Sequence, residues 1–327
     1  MQQRTLGNTD ERVAAIGLGC MGLVGWYGRR DDAEARATVR RAIEIGVTHL
    51  DTAAVYQDGD NERFVGECIR GLRDQVFLAT KCGLERSAEG RLVVANRPEL
   101  IHRSCDASLE RLGTDHIDLF YLHRIDPAVP IEESIGAMAE LVAAGKIRFV
   151  GISEAGVDTL RRANLAHPIA ALQSELSLWA QCTAQPALDA CQALGISYVA
   201  YSPLGRGFLG GSVTKLADLP EDDTRRIFPR FDAANFEANI AAADQVRAVA
   251  QTLDCTPAQL ALAWVLAKWD KVLAIPGTKK RIYLEENAGA ASLELSEDNL
   301  EEIATRLPEE LVHGERYPEI MMHTLNV

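Results

Sequence analysis

Four residues of this sequence have side chains that could act together in transferring a proton to an oxygen atom. Asp51 and Tyr56 lie in the segment LDTAAVY, Lys81 lies in ATKCG and His123 lies in YLHR. Each is at the end of a short apolar segment, or just beyond it, of the kind that forms a buried strand. If these segments are parallel strands of one sheet, their carboxyl ends share an edge and the four side chains meet there.

The chemistry of the four side chains is complementary. A tyrosine phenol has an ordinary pKa near ~10, so Tyr56 would be a weak proton donor at neutral pH. A lysine ammonium nearby favours the phenolate, and Asp51 would hold Lys81 in place and keep it charged. His123 could donate a hydrogen bond to a carbonyl oxygen and orient it. Since the sequence suggests no metal cluster and no activated nucleophile, a hydride from a bound cofactor is the expected attacking species.

Taken singly, each of these residues has a simpler interpretation. Asp51 could cap a helix, and Tyr56 could be a half-buried aromatic residue. Lys81 could be a surface cation, and His123 could be a core imidazole with satisfied hydrogen bonds. Their shared position at the ends of adjacent strands favours the functional interpretation.

The rest of the chain alternates between apolar, strand-like segments and segments with helical periodicity. Residues 3–15 are typical of a hairpin, with turn residues at 7–10. Strands are expected near residues 16, 48, 77, 118, 148, 171, 198 and 273. Helices are expected to start at Asp31 and to span 61–71, 98–112, 131–144, 156–166, 184–194, 236–253, 256–268, 281–292 and 296–305, with irregular segments at 205–235 and 306–327.

Near-continuous apolar strands indicate a parallel sheet that is covered on both faces. Eight strand–helix units without a break in composition predict an α/β protein with a single (β/α)8 barrel of the TIM type. An N-terminal β-hairpin would span 1–15, the barrel 16–292, and an extra C-terminal helix and tail 293–327. A doubly wound sheet is the rival fold, but the GxGxxG string at 17–22 is followed by a long loop instead of a helix.

Composition limits the class of partner. The chain has 47 acidic and 34 basic residues and a net charge of −13, which argues against nucleic acid or an anionic membrane surface as the main partner. Its seven cysteines include no CxxC pair, so neither a zinc site nor a dithiol redox site is indicated. Because no signal-peptide pattern and no apolar run of ~18 residues occur, a cytoplasmic protein is expected. No bound metal is expected.

Long segments of the chain resemble the aldo-keto reductase family. They are RTLGNTDERVAAIGLGCMG, LDTAAVY, SLERLGTDHIDLFYLH, LVAAGKIRFVGIS, YSPLGRGFLGG, AIPGTKK and LEEN. The resemblance implies that Asp51, Tyr56, Lys81 and His123 are the family's catalytic tetrad. It is closest to the bacterial, fungal and plant branch with a GTKK-type cofactor loop, whose members act on varied aldehydes and ketones. His123 points to carbonyl substrates, because the branch that reduces steroid carbon–carbon double bonds has Glu there.

The segment IPGTKKR, residues 275–281, is the expected phosphate site of the cofactor. It follows the eighth strand and opens a helix, so its backbone N–H groups and the helix N-terminus favour an anion. Lys279, Lys280 and Arg281 add three cations in an otherwise acidic chain. This cluster predicts a site for the 2′-phosphate of NADPH, and hence a preference for NADPH over NADH. The alternative is a solvated helix start.

The resemblance implies further cofactor contacts. Ser153 and Gln173 would hold the carboxamide, and Tyr201 would stack on the nicotinamide ring. Glu154 stands where many relatives have Asn, which leaves the contact at this position open. The other implied cofactor residues are Gly19, Met21, Ser202, Leu204, Arg206, Gly207, Gly277, Thr278, Glu286 and Asn287.

Several loop residues could line a substrate pocket. Trp26 and Tyr27 lie in the first strand-to-helix loop, and Arg124 follows His123 directly. Trp179 and Phe228 lie in later loops. For all of them, packing is the alternative to substrate recognition.

The sequence thus predicts an NADPH-dependent reductase of aldehydes or ketones, with a small-molecule carbonyl as its partner. Two alternatives stay open. The same residues could oxidise an alcohol, because proton transfer by the tetrad runs in both directions. The chain could instead be a redox-sensing subunit that binds the cofactor, like the potassium-channel β-subunits with this fold, although its helices show no apolar partner surface. The sequence does not decide between a monomer and a homo-oligomer.

Overall fold

A computed structural model of the chain describes residues 1–87, 90–309, 311–322 and 324–326. Its strands are β1 (Gln3–Thr5), β2 (Arg12–Ala14), β3 (Leu18–Gly19), β4 (His49–Asp51), β5 (Phe77–Cys82), β6 (Leu84–Arg86), β7 (Leu92–Val94), β8 (Ile117–Leu122), β9 (Ile147–Ser153), β10 (Ile169–Glu175), β11 (Ser197–Tyr201) and β12 (Val272–Ala274). One sheet of eight parallel strands has the order β3-β4-β5-β8-β9-β10-β11-β12.

Backbone hydrogen bonds between the first and last segments of this sheet close it into a barrel. The N–H of Gly17 donates to the carbonyl oxygen of Ala274 at 2.8 Å, and the N–H of Ala274 donates to that of Ala15 at 2.9 Å. Gly19 pairs with Gly277 in the same parallel sense. The predicted (β/α)8 barrel is therefore confirmed, and the doubly wound alternative is excluded.

Side chains fill the interior of the barrel. Every residue of β5 and β8 is buried, as expected for parallel strands that are covered by helices. Phe77, Leu119, Val199 and Leu273 belong to the interior cluster, and Leu6 of the N-terminal hairpin packs in the same cluster. The β1–β2 hairpin thus closes the amino end of the barrel and leaves the carboxyl ends of the strands for a site.

The helices form the outer layer. They are α1 (Asp32–Glu44), α2 (Asp60–Ile69), α3 (Pro98–Leu112), α4 (Ile131–Ala143), α5 (Val157–Ala166), α6 (Gln185–Leu194), α7 (Ala233–Thr252), α8 (Pro257–Ala267), α9 (Arg281–Gly289), α10 (Glu297–Arg306) and α11 (Glu319–Met322). Local signals set several of these bounds. Asp31 caps α1 by accepting the N–H of Glu34 at 3.1 Å, and Pro98 and Pro257 occupy first-turn positions. Within the described ranges, no helix combines the length and apolar composition that crossing a bilayer requires.

Sequence periodicity misses two features of the fold. The antiparallel pair β6–β7 lies between β5 and α3, and each of its strands has only three residues, too few to show a period-two pattern. The tail contains the short helix α11, where the sequence predicts irregular structure only. The domain boundaries drawn from the sequence stay a prediction.

Candidate active site

A cavity of about 430 Å³ opens at the carboxyl end of the barrel, and most of the predicted site residues line it. Of the four proposed catalytic residues, Asp51, Tyr56 and His123 line the cavity, and Lys81 is buried against Asp51. The predicted cofactor and substrate residues in the lining are Gly19, Met21, Trp26, Tyr27, Arg124, Ser153, Gln173, Tyr201, Ser202, Leu204, Arg206, Gly207, Gly277, Thr278, Lys279, Lys280, Glu286 and Asn287.

Lys81 forms a buried ion pair with Asp51. The lysine is 1% exposed, and its Nζ contacts Asp51 Oδ1 and donates to the carbonyl oxygen of Thr52 at 2.7 Å. Gln173 Nε2 donates to the other carboxylate oxygen of Asp51 at 2.8 Å. Burial is the largest single effect and lowers the pKa of Lys81, but Asp51 and Tyr56 together raise it by more, so the net pKa lies above the ordinary lysine value and the ammonium stays charged.

The ring of Tyr56 lies close to both Lys81 and His123. Lys81 Nζ is 5.4 Å from the centre of the Tyr56 ring, and the His123 ring meets it edge-on at 5.8 Å between centroids. Burial raises the pKa of Tyr56, and the opposing effect of Lys81 is smaller, so the net pKa lies above the ordinary tyrosine value. The expectation that the lysine would favour the phenolate is therefore outweighed by desolvation, and Tyr56 stays a protonated donor.

His123 is a neutral imidazole at the end of β8. Burial lowers its pKa well below the ordinary value, and the charges of Arg124 and Lys81 lower it further. Its Nδ1 is buried without a hydrogen-bond partner among the described residues. A neutral ring carries one N–H, which can donate a hydrogen bond without bringing a third positive charge into the site.

These two shifts predict the pH profile of the reaction. With saturating cofactor, kcat/KM for a carbonyl substrate should stay flat between about pH 6 and about pH 9. His123 gains its proton only below this window because its pKa is lowered, and Tyr56 loses its proton only above it because its pKa is raised. Initial rates across the window test this, and an ionisation near the ordinary histidine pKa that disappears in His123→Gln would contradict it.

The cationic loop before α9 contacts the loop that follows β3. Lys279 Nζ donates to the carbonyl oxygens of Tyr27 and Arg29, both at 2.5 Å. Lys279 and Lys280 line the cavity, but Arg281 does not. Its backbone N–H and guanidinium donate to the Glu34 carboxylate at 3.1 and 3.0 Å. The structure thus brings two of the three predicted cations to the cavity and pairs the third with an acid of α1.

Two glycines allow the cavity floor to form beside this loop. A Cβ added at Gly19 would lie 2.7 Å from the carbonyl oxygen of Ile275, so no larger residue fits there without a shift of the backbone. The N–H of Gly19 donates to the carbonyl oxygen of Pro276 at 3.1 Å, and Gly277 pairs opposite Gly19. Both glycines line the cavity, and without side chains they would let a phosphate-bearing molecule approach the backbone closely.

The segment 205–235, which the sequence predicts to be irregular, completes the rim of the cavity. Arg206 Nη1 donates to the Tyr27 hydroxyl at 2.7 Å, and its guanidinium lies 3.9 Å from the centre of the Phe228 ring. Asp223 Oδ2 accepts the backbone N–H of Gly28 at 2.9 Å. Two loops that are distant in sequence therefore meet over the cavity.

Glu154 lies outside the cavity lining, although its neighbour Ser153 is part of it. Its backbone has φ of +52°, in the left-handed region, and its side chain is fully buried. Its carboxylate accepts hydrogen bonds from Ser174 Oγ at 2.9 Å and from Arg316 Nη1 at 2.7 Å. Position 154 is therefore used here to bind the C-terminal tail.

The tail contributes two residues that sequence reasoning missed. Arg316 also pairs with Glu175 at 2.8 Å. Its neighbour Tyr317 lines the cavity, donates its hydroxyl to that of Tyr201 at 3.1 Å and accepts from Arg124 Nη2 at 3.2 Å. The only signal in the sequence is an arginine–tyrosine pair, GERYP, in a polar tail.

The two aromatic residues of the later loops have different positions. Trp179 is fully buried and packs on Phe208 at 5.1 Å between ring centroids, so it is a packing residue. Phe228 lines the cavity. Within the described parts of the chain, no group of three or more His, Cys, Asp or Glu side chains is arranged to bind a metal ion.

Comparison with known proteins agrees with this architecture. Residues 15–306 match the family described as "Aldo/keto reductase family". The chain is 41% identical over 321 residues to aldo-keto reductase yakc of Schizosaccharomyces pombe, whose name specifies NADP(+), covering 96% of this chain and 94% of that protein. It is 40% identical over 319 residues to "Probable aldo-keto reductase 1" of Glycine max, covering 97% and 92%.

Solved structures show the same likeness. The structure of the glycerol dehydrogenase AKR11B4 from Gluconobacter oxydans superposes with a TM-score of 0.84 at 26% identity, covering 99% of this chain and 96% of that one. The holo form of aldo-keto reductase AKR11C1 from Bacillus halodurans gives a TM-score of 0.78 at 27% identity, with 94% and 97% covered. The chain therefore belongs to the aldo/keto reductase family of oxidoreductases.

Proposed function

We propose that this enzyme reduces aldehydes or ketones to alcohols with NADPH, and that Tyr56 supplies the proton. The observation that carries the proposal is that the Tyr56 phenol lines the cavity beside Lys81 and His123. Tyr56 lines the cavity with a raised pKa, beside a charged Lys81 and a neutral His123. A proton donor, a cation that stabilises its conjugate base and a hydrogen-bond donor are the groups that carbonyl reduction requires.

The described residues fit a dinucleotide phosphate. Lys279, Lys280 and Arg206 line one cavity and form no ion pair with a carboxylate among the described residues, in a chain whose net charge is −13. Gly19 and Gly277 line the same cavity and have no side chains that would keep a ligand away from the backbone. Lys280 and Lys279 would hold the 2′-phosphate, and Arg206 the pyrophosphate. Bound NADPH would supply the hydride that attacks the carbonyl carbon.

The protein's own residues would then do the following. Tyr56 gives its phenolic proton to the carbonyl oxygen as negative charge develops there. Lys81 stabilises the phenolate that remains, and Asp51 keeps the ammonium in position. The neutral His123 donates its N–H to the same oxygen and fixes the carbonyl in the cavity.

The direction of reaction follows from the same groups. Carbonyl reduction needs the protonated phenol of Tyr56 as an acid, whereas alcohol oxidation needs the phenolate as a base. Because its pKa is raised, Tyr56 is protonated at neutral pH and is therefore in the state that reduction needs, while alcohol oxidation should be favoured only at higher pH. The cytoplasmic location stays a prediction from the sequence, and the oligomeric state stays open.

Two neighbouring cations should differ in their effect on the cofactor. Lys280→Ala is expected to raise KM for NADPH by ~10-fold to ~100-fold, because one charge-assisted contact to a phosphate is lost. Arg281→Ala should change it less, since Arg281 is paired with Glu34 and lies outside the cavity lining. Steady-state kinetics with both cofactors test the pair, with KM for NADH as the internal control. A larger effect of Arg281→Ala, or an equal loss with NADH, would contradict the assignment.

A further inference from the structure

A buried cation without a carboxylate partner lies beside His123. Arg124 lines the cavity and is 6% exposed, and among the described residues it forms no ion pair with a carboxylate. The charge of Glu154 acts on Arg124, but the Glu154 carboxylate is itself paired with Arg316 at 2.7 Å. A buried guanidinium is normally paired or bound to a ligand, because taking an unpaired charge out of water is costly.

The contacts of Arg124 are all with neutral groups. Nη1 donates to the carbonyl oxygen of His123 at 2.7 Å, and Nη2 donates to the Tyr317 hydroxyl at 3.2 Å. The guanidinium also lies 5.6 Å from the centre of the Tyr317 ring, and its Nε is buried with no partner among the described residues. A guanidinium has five N–H donors in a planar fork, so this one has unused capacity as well as an uncompensated charge.

The other cations that line the cavity are accounted for. Arg225 pairs with Asp223, and Arg86 pairs with Asp58, both at 2.8 Å. The cations in the loops 204–207 and 275–281 are assigned above to the cofactor phosphates. Among the described residues that line the cavity, Arg124 is thus the cation that has neither a carboxylate partner nor a proposed phosphate ligand.

We propose that Arg124 binds a carboxylate of the substrate, so that the preferred substrates are aldehydes or ketones that carry a carboxylate group. This inference rests on the proposed reduction of carbonyls. The planar fork matches a carboxylate with two parallel hydrogen bonds. The substrate carboxylate would take the place of the Tyr317 hydroxyl at Nη2, and the carbonyl group would lie toward Tyr56 and His123.

The position of Arg124 in sequence limits the distance between the two groups of the substrate. His123 and Arg124 are consecutive, and the arginine is held by the histidine's own carbonyl oxygen. Oxo acids in which a few carbon atoms at most separate the carboxylate from the carbonyl are therefore the expected class. In a substrate with a longer spacer, the carboxylate would lie beyond the reach of Arg124 when the carbonyl group is at Tyr56. Space is also limited, because the cavity of about 430 Å³ would hold part of the cofactor as well.

The test compares acids with their neutral esters. The wild-type enzyme, Arg124→Met and Arg124→Lys are assayed with NADPH on succinic semialdehyde, phenylglyoxylate and the methyl ester of each. The readout is the ratio of kcat/KM for the acid to that for its ester. We expect a wild-type ratio above one for at least one pair. We expect a ~100-fold lower ratio in Arg124→Met, mainly through KM for the acid, and partial recovery in Arg124→Lys.

The possible outcomes separate the role of Arg124 from the proposed carbonyl reduction. Ester turnover without preference for the acid in the wild type overturns the role of Arg124 while leaving carbonyl reduction intact, and this comparison stands even if Arg124→Met does not fold. An unchanged ratio in a folded Arg124→Met also overturns it. If NADPH is oxidised with none of the four compounds but with other carbonyls, the substrate class is wrong. If it is oxidised with no carbonyl at all, the proposed function fails as well.

Discussion

Replacing Tyr56 by phenylalanine is expected to lower kcat for carbonyl reduction by ~100-fold to ~10,000-fold, the usual range for loss of a general acid. The ring and its contacts with Lys81 and His123 are retained in this variant, so the change removes the proton and little else. KM for NADPH should stay near the wild-type value, because no cofactor contact is assigned to the hydroxyl. Steady-state kinetics and a fluorescence titration with NADPH measure the two quantities separately.

Tyr121 provides a matched control for this experiment. Its ring centre is 5.8 Å from Lys81 Nζ, close to the 5.4 Å of Tyr56, but Tyr121 is absent from the cavity lining and is fully buried. Tyr121→Phe removes a phenol from the same lysine without removing one from the cavity, so its effect on kcat should be small. If both variants lose turnover to the same degree, the phenol acts through Lys81 and not as the proton donor.

Replacing Glu175 by glutamine is expected to lower the free energy of unfolding by ~3 to ~5 kcal/mol, because two buried arginines lose the carboxylate that neutralises them. Glu175 is 1% exposed. Its carboxylate pairs with Arg230 at 2.6 Å and with Arg316 at 2.8 Å. Urea denaturation of both proteins at neutral pH measures the difference. Glu132→Gln is the control, since its pair with Arg162 has similar length, 2.7 Å, but is half exposed, and little change is expected there.

The contribution of Glu175 to the free energy of unfolding should disappear at acidic pH. Burial raises the pKa of Glu175, but Arg230 and Arg316 lower it by more, so its folded-state pKa is below the ordinary value. A group of this kind stabilises the fold fully above its unfolded pKa, near ~4.3, and loses the contribution as pH falls through the folded pKa. The advantage of the wild type over Glu175→Gln should therefore be constant above about pH 5 and shrink below it. A constant difference down to the acid transition would show that packing, not charge, is responsible.

The sequence predicts the barrel, and the proximity of three of the proposed catalytic residues, for one reason. Asp51, Lys81 and His123 each end, or directly follow, a short apolar strand, and a closed parallel sheet leaves such residues only one edge to share. Their distance in the chain is therefore no obstacle to predicting their proximity. The same holds for the loop 275–281, which follows the last strand.

Contacts that depend on the path of an irregular segment cannot be predicted from the sequence pattern. Arg316 meets Glu154 across 162 positions of the chain, and Arg281 meets Glu34 across 247. No periodicity encodes either pairing, because loops and tails have no repeating geometry. The sign of the Tyr56 pKa shift is also unpredictable from residue types, since it depends on whether burial or the Lys81 charge is the larger effect.

The experiment that tests the central claim most directly is an assay of the wild-type enzyme with NADPH and a panel of aldehydes and ketones, with NADH in parallel. We expect oxidation of NADPH that depends on the carbonyl compound, with kcat/KM for NADPH at least ~10-fold above that for NADH, as one charge-assisted phosphate contact would give. Tight binding of NADPH without turnover on any carbonyl would contradict the proposed function. Equal use of the two cofactors would contradict the phosphate site at Lys279 and Lys280.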